Sequence, residues 1–214
     1  RVHPILRKRL ETNKFICEIE YEMSKKQIEE IISKYHGLVI RSRFNIDSSF
    51  IKKANNLKFI ARAGSGLENI DINYAQSNGI KCYNAAEGNR QAVAEHAIGM
   101  ILSLFNNLDV SNKEVRQGKW RREKNRGIEL SGKTIGIIGF GNNGSAFAKI
   151  LEGFGVNILS YDKYLEGYPY QSTMQEIYKN ADIISLHIPL TKETRYLVNK
   201  SFIEGFRKKI FLIL

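Results

Sequence analysis

The feature that most constrains this chain is alternation: short β-rich runs and stretches of helical periodicity succeed one another along the whole sequence. Strand candidates lie at 15–19, 38–42, 59–63, 81–84, 134–138, 156–161, 183–188 and 210–214. Helical patterns separate them at 25–34, 48–54, 72–77, 90–106, 143–153, 174–179 and 200–206. Runs such as TIGIIG (134–139) and DIISLHI (182–188) are apolar at successive positions, as strands covered by helices on both faces must be. Such alternation predicts an α/β chain with parallel sheets. It breaks once, where the long helical pattern is followed by a polar stretch, 109–131, that contains no strand. That break reads as an irregular passage between two domains, with a boundary near Asn84 separating 1–84 from 85–214.

Composition narrows the function classes. The chain has 214 residues, 43% hydrophobic and 26% charged, which excludes disordered and fibrous readings. Cys17 and Cys82 lack metal-ligand spacing, so neither a disulfide scaffold nor a cysteine zinc site is expected. No window approaches the ~18 uncharged apolar residues of a membrane span, and the first residues lack the apolar core of a signal peptide. A soluble, cytoplasmic protein with no membrane partner is expected. The net charge of +11 invites a nucleic-acid reading. Its distribution does not support one: residues 1–83 carry 15 basic against 9 acidic groups, and 84–214 carry 18 against 13. The densest run, RQGKWRREKNR (116–126), is broken by Glu123 and reads as a solvated loop. The chain begins at Arg1 and stops at Leu214 inside KKIFLIL, so the expectation is a piece of a longer protein, cut at both ends.

The sharpest motif is Gly139-Phe140-Gly141-Asn142-Asn143-Gly144, which directly follows an apolar strand and opens a helix. Gly139 allows the tight turn, Gly141 lets backbone amides approach a diphosphate, and Gly144 lets helix and strand pack closely. The anion then sits on the positive end of the helix. Asp162 ends the next strand, 21 residues beyond Gly141, where a carboxylate accepts hydrogen bonds from an adenosine ribose and repels a 2′-phosphate. NAD is therefore favoured over NADP, although the adjacent Lys163 works against that preference.

A second glycine loop, Arg62-Ala63-Gly64-Ser65-Gly66, also follows a strand; it is either a plain turn or a nest of amides for a small anion. Arg41 and Arg43 add positive charge at a neighbouring strand end and favour an anionic ligand. Glu95 and His96 adjoin in sequence and do not face each other on a helix, so they form no dyad, and His96 is read as a packing or supporting residue. His187 stands at a strand end and reads as structural or as cofactor wall rather than as an acid or base. His3 and His36 carry no context.

Together these residues resemble the D-isomer-specific 2-hydroxyacid dehydrogenases, and among them the D-3-phosphoglycerate dehydrogenase-like branch. The resemblance rests on RAGSGLENID (62–71), NAAEGNRQAVAEH (84–96), RQGKW (116–120), GIELSGKTIGIIGFGNNG (127–144), Tyr161-Asp162 and DIISLHIPLTKET (182–194). It implies a Rossmann-type doubly wound NAD-binding domain, here 85–214, and a smaller flavodoxin-like substrate domain, here 1–84, both incomplete. It also implies that Arg41, Ser65 and Gly66 face the substrate's acid groups, with Ser65 on the nicotinamide side of the cofactor. Asn142 and Asn143 would meet the diphosphate, Asp162 the ribose, and Ile188 and Pro189 the cofactor's wall. The segment from Asn89 to about Leu130 would supply a homodimer interface.

The activity so implied is NAD-dependent oxidation of a D-2-hydroxy acid, with 3-phosphoglycerate, of serine biosynthesis, as first substrate. The alternatives are a glyoxylate or hydroxypyruvate reductase and a non-catalytic NAD-sensing protein. Departures accompany the match. Asn84-Ala85-Ala86 stands where Asn-Thr-Pro or Asn-Ala-Pro is common, and Asn142-Asn143 replaces the usual Arg-Ile. The family's catalytic Arg, Glu and His fall after the last strand candidate, so no residue of this chain is assigned to proton transfer and residues 1–214 alone are expected to be inactive.

Overall fold

The computed structural model describes residues 2–213 and divides between Gly88 and Asn89 into two compact units. In the first, helix α1 (Pro4–Thr12) precedes α2 (Lys25–Ile31), which runs on as a 3-10 turn, Ile32–Lys34. Strand β1 (Gly37–Ile40), α3 (Ser48–Lys53), β2 (Phe59–Arg62), α4 (Ile72–Ser77) and β3 (Lys81–Tyr83) follow. The three strands form a parallel sheet in the order β1-β2-β3, with Ile40 opposite Arg62 and Ala61 opposite Tyr83. Helix starts are set by side chains that accept first-turn amides: Ser24 in a reciprocal capping box with Gln27, Asp47 before α3 and Asp71 before α4. Ile32, Ile46, Phe50, Ile60 and Ala75 are buried in one cluster between the sheet and its helices.

Two expectations for this unit change. Residues 15–19 form no strand, and Ile16 is 96% exposed. The amide of Phe15 donates instead to the Leu10 carbonyl while Lys14 turns into the left-handed region (φ 64°), so this stretch begins as the closing turn of α1. Helix α1 carries no apolar face that buries residues to mark it in the sequence, although His3 as N-cap and Pro4 in the first turn are ordinary starting signals.

In the second unit, α5 (Arg90–Phe105) and α6 (Leu108–Arg116) lead to β4 (Thr134–Ile138), α7 (Asn142–Leu151), β5 (Asn157–Tyr161), α8 (Met174–Asn180), β6 (Ile183–Leu186), α9 (Lys200–Glu204) and β7 (Phe211–Ile213). All four strands are parallel, in the order β5-β4-β6-β7. One face of the sheet packs Ile135 and Ile137 against Ala94, Ile101 and Phe105 of α5 and Phe147 and Leu151 of α7. The other packs Ile138 and Ile184 against Ile177 of α8 and Phe202 of α9. Helices on both faces, with the strand order reversing at β4, make this a doubly wound sheet.

The passage expected to be irregular over 109–131 holds a helix, α6, which Asn107 starts from the left-handed region (φ 51°). Strand β6 stops at Leu186, which leaves Ile188 in the following loop, and the strand expected over 210–214 is seen as Phe211–Ile213, Leu214 lying outside the described residues. Among the described residues no helix is long and apolar enough to cross a membrane.

Ile60 on β2 is fully buried, so Ile60→Ala is expected to destabilise the first unit by about 2–5 kcal/mol, read as a lowered urea midpoint.

Candidate dinucleotide site and the family it defines

The end of β4 is stitched to both neighbours. The Gly139 amide donates to the Tyr161 carbonyl (2.8 Å), and the His187 amide donates to the Ile138 carbonyl (2.8 Å). Gly139 then turns with φ 91°, where a Cβ would lie 2.6 Å from the His187 carbonyl oxygen. A Cβ on Gly144 would overlap the Gly139 carbonyl oxygen. Both faces are therefore filled by the protein's own backbone. In front of Gly141 the opposite holds, since a Cβ there meets nothing within 4 Å.

Helix α7 starts from Gly141 with no side-chain cap on its first turn, and Asn142 is exposed there. Asn143 carries a buried side-chain oxygen, Oδ1, with no hydrogen-bond partner. An open cradle and an uncapped helix start fit a diphosphate, whose oxygens take amide donors and the positive end of the helix; the Asn143 oxygen, itself an acceptor, is no partner for it.

Asp162 turns back toward this loop. Its Oδ2 accepts from the Phe140 amide (2.8 Å), and its Oδ1 accepts from the amides of Tyr164 (2.9 Å) and Leu165 (3.2 Å). A carboxylate has about four acceptor sites, so one remains for a sugar hydroxyl. One residue that no local pattern singled out completes the lock: the Asp162 amide donates to the Tyr168 hydroxyl (2.7 Å), and the Tyr168 ring stacks on Phe140 at 4.8 Å. Tyr168 lies beyond a loop, without periodicity to mark it.

Across the turn, Ile188 and Pro189 open the loop after β6. Thr191 and Thr194 hold that loop by exchanging amide-to-hydroxyl bonds (2.8 and 3.2 Å), and the Thr194 hydroxyl donates to the Pro189 carbonyl. Glu193 of the same loop pairs with Lys163 and accepts from the Tyr164 hydroxyl (2.6 Å); Lys163 above all, then Tyr164, keeps its carboxyl below the usual range.

His187 is partly buried, its Nε2 shares a hydrogen bond with the Ser185 hydroxyl (2.9 Å), and its ring lies 5.3 Å from that of Phe147. It lines a cavity of about 430 Å³ with Val93, His96, Met100, Ser185 and Ile213. His96 is exposed at this cavity rather than packed away.

In the first unit, Arg41 lines a cavity of about 280 Å³ with Val2, His3, Leu6 and Ala63. Arg43 does not join it: its guanidinium donates to the carbonyls of Glu20 (3.2 Å) and Met23. The Ser65 carbonyl accepts from the Asn84 side chain (2.6 Å). The Gly66 carbonyl accepts from Arg62, which also pairs with Glu68 at 2.6 Å, and the Glu68 carboxylate lies over the face where a Gly66 side chain would stand.

A doubly wound parallel sheet with a glycine turn and an uncapped helix start at its reversal point, and an acid at the end of the next strand, defines a Rossmann-type dinucleotide-binding unit. Residues 98–214 match the family model described as the D-isomer specific 2-hydroxyacid dehydrogenase, NAD binding domain. The chain belongs to that family, whose cofactor is a nicotinamide dinucleotide.

It is 36% identical over 205 residues to the hydroxypyruvate reductase of Thermotoga maritima, covering 94% of this chain and 67% of that one. With the D-3-phosphoglycerate dehydrogenase of Archaeoglobus fulgidus it shares 35% over 202 residues, 92% of this chain but only 38% of the relative's length. The NAD complex of a Staphylococcus aureus formate dehydrogenase superposes with a TM-score of 0.79 at 27% identity, covering 97% of this chain and 64% of that one.

Burial pushes the His187 imidazole down to about 4 from 6.5. The folded state therefore resists its protonation, and the stability tied to neutral His187 is complete above about pH 6.5 and declines as the pH falls toward about 4. Urea midpoints measured across that window should fall with a slope approaching about one proton, and His187→Gln should flatten the slope.

Proposed function

We propose that the second unit holds NAD at the turn Gly139 to Gly144, and that the protein to which the chain belongs transfers hydride between NAD and a D-2-hydroxy acid. The observation that carries this reading is the empty space before Gly141, framed by Gly139 and Gly144 positions that are filled. When bound, the nicotinamide accepts or donates the hydride.

The chain's own residues bind and orient. The first amides of α7, at Asn142 and Asn143, take the diphosphate, and Asp162 offers its remaining acceptor site to the adenosine ribose. Its negative charge favours NAD over NADP. Ile188 and Pro189 form the apolar wall. In the first unit, Arg41, Ser65 and Gly66 are assigned to the acid groups of the substrate, and no residue of this chain is assigned to proton transfer.

The first substrate is 3-phosphoglycerate, as the name of the Archaeoglobus relative suggests, which would place the protein in serine biosynthesis. A second reading, hydroxypyruvate or glyoxylate reduction, gains from the Thermotoga relative and from Arg43, whose engagement with two carbonyls leaves the Arg41 cavity one cation fewer for a phosphate. Comparing rates on phosphorylated and unphosphorylated acids separates the two. Residues 1–214 alone should form no NADH from 3-phosphoglycerate, and measurable turnover would overturn that assignment.

A homodimer accompanies this reading. Leu104, Leu108, Val110 and Val115 on α5 and α6 are each about half exposed, with relative exposures of 46–54%, an apolar surface that a second copy would cover. Leu104→Lys with Leu108→Lys should shift the mass seen by light scattering toward the monomer.

The cofactor assignment is tested at Gly141. Gly141→Val projects only into open space, so its melting temperature should match that of the original chain. NADH affinity, titrated by calorimetry, should fall at least about ten-fold, equivalent to ~1.4 kcal/mol. Unchanged affinity would remove the turn from the binding site.

A further inference from the structure

Resting on the reading that the second unit holds a dinucleotide, we propose that Glu193 acts with Asp162 to exclude a 2′-phosphorylated cofactor, by neutralising Lys163. Sequence alone leaves Lys163 as a liability, because an ammonium next to the ribose-binding acid is a natural partner for a phosphate dianion. In the structure that ammonium is already taken, by the Glu193 carboxylate.

The pair is set by topology. Lys163 follows β5 and Glu193 follows β6, and these strands are the two neighbours of β4. The bridge therefore joins the two loops that flank the glycine turn. Its acidic partner is fixed from both sides: the Tyr164 hydroxyl donates to the second Glu193 oxygen (2.6 Å), and Thr191 and Thr194 brace the loop that carries it. Lys163 also lies over the Tyr164 ring, 5.6 Å from its centroid.

The charges then sum against phosphate. Asp162, Lys163 and Glu193 together carry one net negative charge, and both Asp162 oxygens are engaged with backbone amides, so Asp162 is not free to swing away. Without Glu193 the cluster is neutral and presents an unpaired ammonium. Both partners of the bridge are about half exposed, with side-chain exposures of 57% and 48%. Such a pair contributes little to stability, so its removal alters the charge facing the ribose without unfolding the unit.

The test uses ADP-ribose and 2′-phospho-ADP-ribose, which carry no nicotinamide and need no turnover, titrated by calorimetry into the 214-residue chain. The original chain should prefer ADP-ribose. Glu193→Gln should bind the 2′-phosphorylated ligand about ten-fold more tightly while ADP-ribose affinity stays nearly constant, and added salt should diminish the gain. Replacing Lys163 as well (Lys163→Gln with Glu193→Gln) should abolish it, and thermal melts confirm that each variant is folded. An unmoved ratio in Glu193→Gln overturns the proposal, as does a gain that survives loss of Lys163. If ADP-ribose binds neither chain, the dinucleotide reading fails and this inference with it; if it binds and the ratio stays fixed, only the inference falls.

Discussion

The carbonyl oxygen of Gly139 sits against the Cα of Gly144, in a space that no side chain can share. That approach sets how the polypeptide passes from the central strand into α7, and most of the second unit is arranged around it. The strand it terminates, β4, is paired along its length with β5 and β6, so their carboxyl ends are brought level with the turn. Within β4 the same restriction recurs at Gly136, where a Cβ would meet Ile177 and Ile184 at 2.8 Å; the missing side chain lets α8 seat on the sheet. Small residues in the middle of the sheet thus decide both how close the helices lie and what remains open at the loop ends.

Features set by local periodicity were legible in the sequence. The apolar run 134–138 is β4 to the residue, α4 is the pattern at 72–77, and the glycine turn lies where a strand meets a helix. Residues 15–19 form no strand for a physical reason: a short apolar run marks a segment able to pair, and here its first amide closes a helix instead. Helix α6 hid in a polar stretch because its start, Asn107, carries no ordinary cap and its residues bury nothing. Pairs that depend on the completed sheet left no local trace. Glu193 meets Lys163 across 30 residues, and Tyr168 reaches Phe140 only after β5 has been laid beside β4. Arg43 is the converse, a cation whose position suggested a ligand and whose contacts are carbonyls of its own unit.

Asp162 shows why a motif residue has two jobs. Three amides converge on it, from the glycine turn and from the loop that follows β5. Each of those donors would otherwise need another partner near the sheet end. The carboxylate therefore holds the shape of the loop before it meets any sugar, and substitutions there mix folding with recognition. Glu193 is different: its partners are side chains on the rim, and it can be changed without disturbing the backbone.

Glu114 on α6 bears on how the chain's excess of positive charge is spread. It accepts from Asn125 (2.8 Å) and pairs with Lys124 (3.2 Å) and Arg121 (3.5 Å), while Glu123 pairs with Arg126 at 2.7 Å. Three of the six cations of the stretch 116–126, Arg121, Lys124 and Arg126, are thus paired with Glu114 or Glu123. Those charges are spent within the molecule, and the remaining excess acts as a field that ionic strength screens.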